Sequence, residues 1–307
     1  MEMPNDIPVL SYTDNPKNDP IWTMLYGSIA HPDFSHPAFF RHNGNPVSLF
    51  NLYCGETVYL IGRGPSLGTV LENKNLKELL MHNSVVRYGM NSASDILDNN
   101  VGLWSAVDRM TKFSPTILKN PNIMKFIPMN RFQPHNFDVR QKDCERTVAY
   151  KNGKQLVHSC HCPNVIGVQT FLTEQIDKIS FGNTFLGTPA VLYGFFNGIK
   201  SVLLFSIKVC LLLGFSKIVL IGVDFKMDKE QPYYKTTPGE FNAFHIQHNN
   251  KLYKGLSPRL KEVCKLLDEN KSVYKAKIVT ASPIELMPFI PTVNLKQTLE
   301  EDILQKK

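Results

Sequence analysis

The chain has 307 residues, 43% of them hydrophobic and 20% charged, a balance that supports a packed core and excludes a disordered, collagen-like or disulfide-scaffold protein. A formal charge of +7 and a pI near 9.0 favour an anionic partner such as a nucleotide, an acidic glycan or nucleic acid, though scattered basic residues equally fit a merely cationic surface. The six cysteines are irregularly spaced and make no disulfide framework, and the opening MEMPNDIPVL lacks the basic and apolar regions of a signal peptide, so a cytoplasmic protein is expected.

Residues 1–50 are rich in Pro, Asn, Asp and His without sustained periodicity and read as an extension over the core. Their aromatics (Trp22, Tyr26, Phe34, Phe39, Phe40, Phe50) argue against full disorder. A parallel α/β domain is expected over 51–292, with a charged, helical tail at 293–307. It opens with ETVYLIGRGPSL (56–67), a β-branched and aromatic run that suits a strand buried on both faces of a parallel sheet. The run ends in Gly62, Arg63, Gly64, Pro65 and Ser66, and LGTVLENKNLKELL then reads as one helix with Pro65 early in its first turn. N–H groups at such a helix start face an anion, so the turn reads as a phosphate cradle or as an ordinary tight connection. It is neither a Walker A loop nor GxGxxG.

SVVRYGMNSA supplies a second strand ending at Asn91, and VGLWSAVD a third ending at Asp108. In a parallel α/β sheet these carboxyl ends share the edge where ligands bind. NIMKFIPMN reads as a fourth strand, followed by an irregular, polar insertion at 131–185. The insertion holds Cys144, His158, Cys160, His161 and Cys162, whose spacing lacks the paired CxxC of structural zinc sites; no metal site is assigned. The run SVLLFSIKVCLLLGFSKIVLIGV (201–223) is broken by Lys208, Gly214 and Lys217 and reads as a buried helix ending at a glycine, then a core strand, not a membrane span. Asp224 stands at that strand's exit, placed for ribose, metal or an acceptor hydroxyl, or simply to cap a turn. Residues 226–253 read as a polar, aromatic lid, and SPRLKEVCKLLDEN as a helix with Ser257 as N-cap and Pro258 at its first position. KIVTASPIELMPFI supplies the last strand and turn.

In order, VYLIGRGPSL, YGMNSA, WSAVD, KSVLLFSIKVCLLLGFSKIVLIGVDF, FHIQHNNKLY with SPRLKEVCKLL, and IVTASPIELMPF resemble the MptE-like 6-hydroxymethylpterin diphosphokinase domain. More distantly they resemble the bacterial sialyltransferases of glycosyltransferase family 42. The resemblance covers about residues 56–128 and 197–292 and implies an α/β, Rossmann-like parallel sheet with helices on both faces. It further implies that Gly62, Arg63, Gly64, Pro65 and Ser66 take phosphate and ribose, Asn91 the base or sugar, and Ser201 a phosphate oxygen. Two positions depart from the sialyltransferase pattern: Arg63 where asparagine is common, and Lys226 where tyrosine often follows the aspartate and phenylalanine. The position of their catalytic histidine aligns nearest Tyr253, with His245 and His248 just before it.

Three functions follow. A glycosyltransferase would take a nucleotide sugar as donor and a hydroxyl acceptor on a glycan, a small molecule or a hydroxymethylated DNA base. Its catalytic residues would be His248, His245 or Asp224, because imidazole titrates near neutrality and a base must take the acceptor proton. A pyrophosphokinase would carry diphosphate from ATP to a hydroxymethyl heterocycle and use Mg, with Asp108 and Asp224 as oxygen ligands. A non-catalytic nucleotide or nucleic-acid binding module is the third.

Overall fold

The computed structural model describes residues 39–40, 49, 51–108, 113–128, 148–151, 154–157, 163–168, 201–227, 229–235, 242–269, 271 and 275–306. Most of the expected extension at 1–50 and the whole set Cys144, His158, Cys160, His161 and Cys162 lie outside the described residues. The strands are β1 (Phe39–Phe40), β2 (Thr57–Ile61), β3 (Val86–Met90), β4 (Leu103–Ser105), β5 (Met124–Pro128), β6 (Val148–Lys151), β7 (Lys154–Val157), β8 (Val165–Val168), β9 (Lys217–Ile221) and β10 (Lys277–Thr280). The helices are α1 (Leu67–Leu71), α2 (Lys74–Leu80), α3 (Ala93–Ile96), α4 (Pro115–Lys119), α5 (Val202–Leu212), α6 (Ala243–Glu269) and α7 (Leu295–Gln305). The fold is the expected α/β, Rossmann-like one. The chain divides into two compact units, Met1–Phe50 with Ser105–Leu212 and Asn51–Trp104 with Leu213–Lys307.

The second unit holds the Rossmann arrangement. Its strands follow the order β4-β3-β2-β9-β10, with β2 parallel to both β3 and β9, and β9 parallel to β10. The chain steps outward from β2 to β3 and then returns to the other side of β2, so the direction of winding reverses between β2 and β9. That is the topological switch point, beyond whose carboxyl ends ligands of such sheets bind. Val58, Tyr59, Leu60 and Ile61 are all fully buried, which explains the unbroken apolar run of the sequence. The register from Thr57↔Lys217 to Ile61↔Ile221 ends the two strands level. On β2, the Tyr59 hydroxyl (2.5 Å) and Thr57 Oγ1 (3.1 Å) donate to Asp302 of α7, and Lys306 pairs with Glu56 at 2.6 Å.

Two sequence readings in this unit are corrected. The helix expected after Pro65 is two helices, because Asn73 leaves helical geometry and accepts the Leu76 N–H at 3.1 Å as the N-cap of α2. The expected lid and the helix at Ser257 are largely one helix: α6 runs through Pro258, and Ser257 donates its hydroxyl to the Leu286 carbonyl at 2.7 Å instead of capping. A proline removes its own N–H and crowds the carbonyl four residues back, and the packing of the buried Ile246, Leu260, Val263 and Leu267 on both sides of it outweighs that cost.

In the first unit β5 and β8 are parallel, and β1 lies antiparallel on β8 with Phe39 opposite Val168. The stretch 131–185, expected to be irregular, contains β8 and the β6–β7 hairpin. Helix α5 is buried from Leu203 to Leu212, as its apolar sequence requires, and Gly214 follows it at φ 86°. Burial pushes the Lys208 amine down to about 7. No helix among the described residues is long and apolar enough to cross a membrane.

Candidate functional site at the switch point

Two glycine turns leave the sheet side by side. Gly62 N–H donates to the Ile221 carbonyl at 2.8 Å and Gly64 N–H to the Gly222 carbonyl at 2.7 Å. A Cβ on Gly62 would stand 2.5 Å from the Gly222 oxygen, and one on Gly222 (φ 64°) 2.5 Å from the Gly62 oxygen. A Cβ on Gly64 would stand 2.8 Å from the Gly222 oxygen and would also collide with the Asp224 carboxylate. The glycines are therefore required by the contact between the β2 and β9 turns.

The expected anion at the helix start is supplied by the protein itself. Ser66 N–H donates to Asp224 Oδ2 at 2.8 Å, while the N–H groups of Leu67 and Gly68 turn to the carbonyls of Gly64 (3.0 Å) and Pro65 (2.9 Å). The carboxylate thus meets a donor that the sequence reading reserves for phosphate. Ser66 itself makes no side-chain cap.

Arg63 points to the strap 231–235. Its Nε donates to the Tyr234 carbonyl at 3.1 Å, one terminal nitrogen to the Lys235 carbonyl at 2.7 Å and the other to Ser92 Oγ at 3.4 Å. Asn91 follows β3 in the left-handed region at φ 49°, and its carbonyl accepts the Trp104 indole N–H at 2.8 Å. The Asn91 Oδ1 is buried without a hydrogen-bond partner. Short polar side chains tolerate this backbone region better than others, which is why an asparagine fits there.

Helix α6 brings a second set of groups to the exit of β9. The Asn250 carboxamide clamps the Met227 backbone, accepting its N–H at 2.8 Å and donating to its carbonyl at 2.9 Å. Tyr253 meets Tyr233, hydroxyl to hydroxyl, at 3.1 Å, and packs edge-on against Phe225 with ring centroids 5.5 Å apart. Burial first, then Tyr233 and the Asp224 charge, hold the Tyr253 phenol well above its usual range, so it stays protonated.

The sequence-predicted residues divide accordingly. Gly62, Arg63, Gly64, Pro65, Ser66, Asn91 and Asp224 all lie at the carboxyl edge of β2, β3 and β9. Asp108 and Ser201 belong to the first unit, Asp108 after β4 and Ser201 before α5, where its carbonyl accepts the Phe205 N–H at 3.2 Å. His245 and His248 are exposed on the first turns of α6, with the His248 ring stacked near-parallel on Phe244 at 6.0 Å. At about 100° per residue, His248 stands roughly opposite the Ile246, Asn250 and Tyr253 face. Tyr253 is close enough to Asp224 for that charge to help raise its pKa. Tyr233 and Ser92 are not singled out in the sequence reading, and Asn250 enters it only as a member of the expected lid; extending the helical period of α6 toward its N-terminus would have placed Asn250 and Tyr253 on one face.

No family model matches the chain, and no curated protein matches it. The expected likeness to MptE-like domains finds no support in either comparison. Among solved structures, the chain is similar to a mammalian sialyltransferase in complex with Gal-beta-1-3GalNAc-ortho-nitrophenol, at 11% identity and a TM-score of 0.39, over 89% of this chain and 90% of that one. It is also similar to another mammalian sialyltransferase structure, at 11% identity and a TM-score of 0.34, over 73% of this chain and 68% of that one. Likeness at this level assigns no activity.

Proposed function

We propose that the protein is a transferase that binds a nucleotide at the carboxyl edge of β2, β3 and β9 and moves a glycosyl group from a nucleotide sugar to a hydroxyl acceptor. The observation that carries the reading is the partnerless, buried Oδ1 of Asn91 at the ligand-binding edge of a Rossmann-ordered sheet. A buried carbonyl oxygen left unpaired costs about 1–3 kcal/mol, and an N–H of a nucleobase or a ribose hydroxyl supplies the missing donor.

The neighbouring groups fit transfer. The acceptor oxygen forms the new bond to the anomeric carbon as the bond from that carbon to the phosphate oxygen breaks, and the acceptor proton passes to Asp224. Tyr253 and Tyr233 share one hydrogen bond, and with Tyr253 held protonated the pair keeps one hydroxyl hydrogen to donate to the leaving phosphate, a bond that strengthens as its charge develops. A glycan, a small molecule or a hydroxymethylated DNA base presents a suitable hydroxyl.

The test combines binding and turnover. Thermal shift against nucleotides and nucleotide sugars, with and without Mg, identifies the donor, since a ligand of the folded state raises stability by mass action. Asn91→Gly keeps the left-handed backbone and is expected to weaken nucleotide binding by about ten- to a hundredfold. Unchanged affinity in that variant removes the reading. Acceptor-dependent release of nucleotide without Mg supports glycosyl transfer. Mg-dependent release of AMP from ATP would replace it with the pyrophosphokinase, and binding without turnover with the module.

A further inference from the structure

We infer that Arg63 is a positioning residue that latches the strap 231–235 and so sets the Tyr233 hydroxyl against Tyr253. The resemblance assigns Arg63 to phosphate, and the geometry points elsewhere. One guanidinium reaches two successive carbonyls, Tyr234 at 3.1 Å and Lys235 at 2.7 Å, and the hydroxyl of Ser92 at 3.4 Å. The Arg63 backbone adds a fourth tie, its carbonyl accepting the Tyr234 N–H at 2.8 Å. Lys235 is held in the left-handed region at φ 54°, which a lysine keeps only where its surroundings over-determine it.

The strap is seated as well as tied. Pro232 and Tyr234 are buried, and the Tyr234 ring lies so close over α1 that a Cβ on Gly68 would stand 2.9 Å from it. Between these fixed points the chain has little freedom left at Tyr233, whose hydroxyl reaches Tyr253 at 3.1 Å. Only a planar fork with donors in fixed directions holds two carbonyls and a hydroxyl at once. Lysine, a single ammonium on a flexible stem, does not reproduce it. The value of the latch to catalysis rests on the switch-point edge being the site, and the experiment below separates the two.

Amide hydrogen exchange of the full chain reads the latch directly. In Arg63→Ala and Arg63→Lys alike, exchange at the Tyr234 amide, which donates to the Arg63 carbonyl, is expected to accelerate by about ten- to a thousandfold, the effect of losing several hydrogen bonds to local opening. The Tyr59 and Val219 amides of β2 and β9 should keep parental exchange. The latch is overturned if the Tyr234 amide stays protected in Arg63→Ala, if it and the core amides accelerate together, or if Arg63→Lys restores protection. The second measurement compares the affinity of parent and Arg63→Ala for cytidine, uridine and adenosine 5′-monophosphates and for the matching nucleosides. A positioning role predicts equal loss, within about twofold, for each nucleotide and its nucleoside, because Arg63 touches no phosphate. A loss confined to the phosphorylated ligands makes Arg63 a phosphate ligand and overturns the inference. If the parent binds none of these ligands, the proposed function is what fails, and the exchange result still decides the latch.

Discussion

Gly64 is the residue at which a ligand-loop reading and a packing reading predict different things. A Cβ there collides with the Asp224 carboxylate and stands 2.8 Å from the Gly222 oxygen, with no ligand involved. Gly64→Ala should therefore cost about 1–3 kcal/mol of stability without nucleotide, seen as a lower urea midpoint at unchanged slope. Parental stability in that variant would mean that the two turns part freely. Asn250→Ala removes both hydrogen bonds to Met227 and leaves that backbone unpaired, so a loss of about 1–3 kcal/mol is expected in the same titration. Parental stability there would mean that solvent replaces the clamp at no cost. At this scale the sequence made Gly62 to Ser66, Asn91 and Asp224 legible, because a small or polar residue after a β-branched run marks a strand exit. Tyr253 was reached only through the resemblance, and its pairing with Tyr233 was hidden, since two phenols twenty residues apart become a pair only through the fold.

At the scale of elements, β2, β3, β5, β9, β10, α5 and the C-terminal helix α7 all lie where the sequence expects them. Continuous apolar runs bounded by glycine or polar residues carry that information locally. Helix α6 was misread for a physical reason: its first turns expose Phe244, His245, Gln247 and His248, so its apolar stripe is thin there, and Ser-Pro looks like a fresh start. Tertiary contacts through Ile246, Asn250 and Tyr253 continue the helix where local signals would end it. The tie between α7 and β2 is equally invisible in sequence, being made by Asp302 across more than two hundred residues. Asp302→Ala leaves the hydroxyls of Thr57 and Tyr59 without their acceptor and should cost about 1–3 kcal/mol, with faster amide exchange in α7 than in β9. Unaltered exchange in α7 would show that the apolar contacts of Leu295, Leu299 and Ile303 hold the helix alone.

At the scale of the whole molecule, buried titratable groups in both units give stability a pH profile with two limbs. Lys208 has a folded pKa of about 7 against 10.5 for the free side chain, because burial disfavours the ammonium. Between those values the unfolded chain binds more protons than the native one, so stability rises with pH, by up to about 1.4 kcal/mol per pH unit. Tyr53, Tyr59 and Tyr253 act in the opposite sense. Burial first, helped by Glu56, Asp302 and Tyr233 respectively, raises their pKa values above 10.0, so their stabilisation is complete below 10.0 and is lost as pH climbs through the folded values. Urea midpoints measured from pH 6 to pH 11 should therefore climb and then fall. Lys208→Met keeps the length of the side chain and removes its charge, so the variant is expected to gain stability over the parent at pH 6 and to lose that advantage by pH 10. The falling limb should be the same in both proteins, because it belongs to the tyrosines. Parallel curves for parent and variant across the whole range would show that Lys208 is not the source of the rising limb, and that the amine keeps its proton in the folded state at neutral pH.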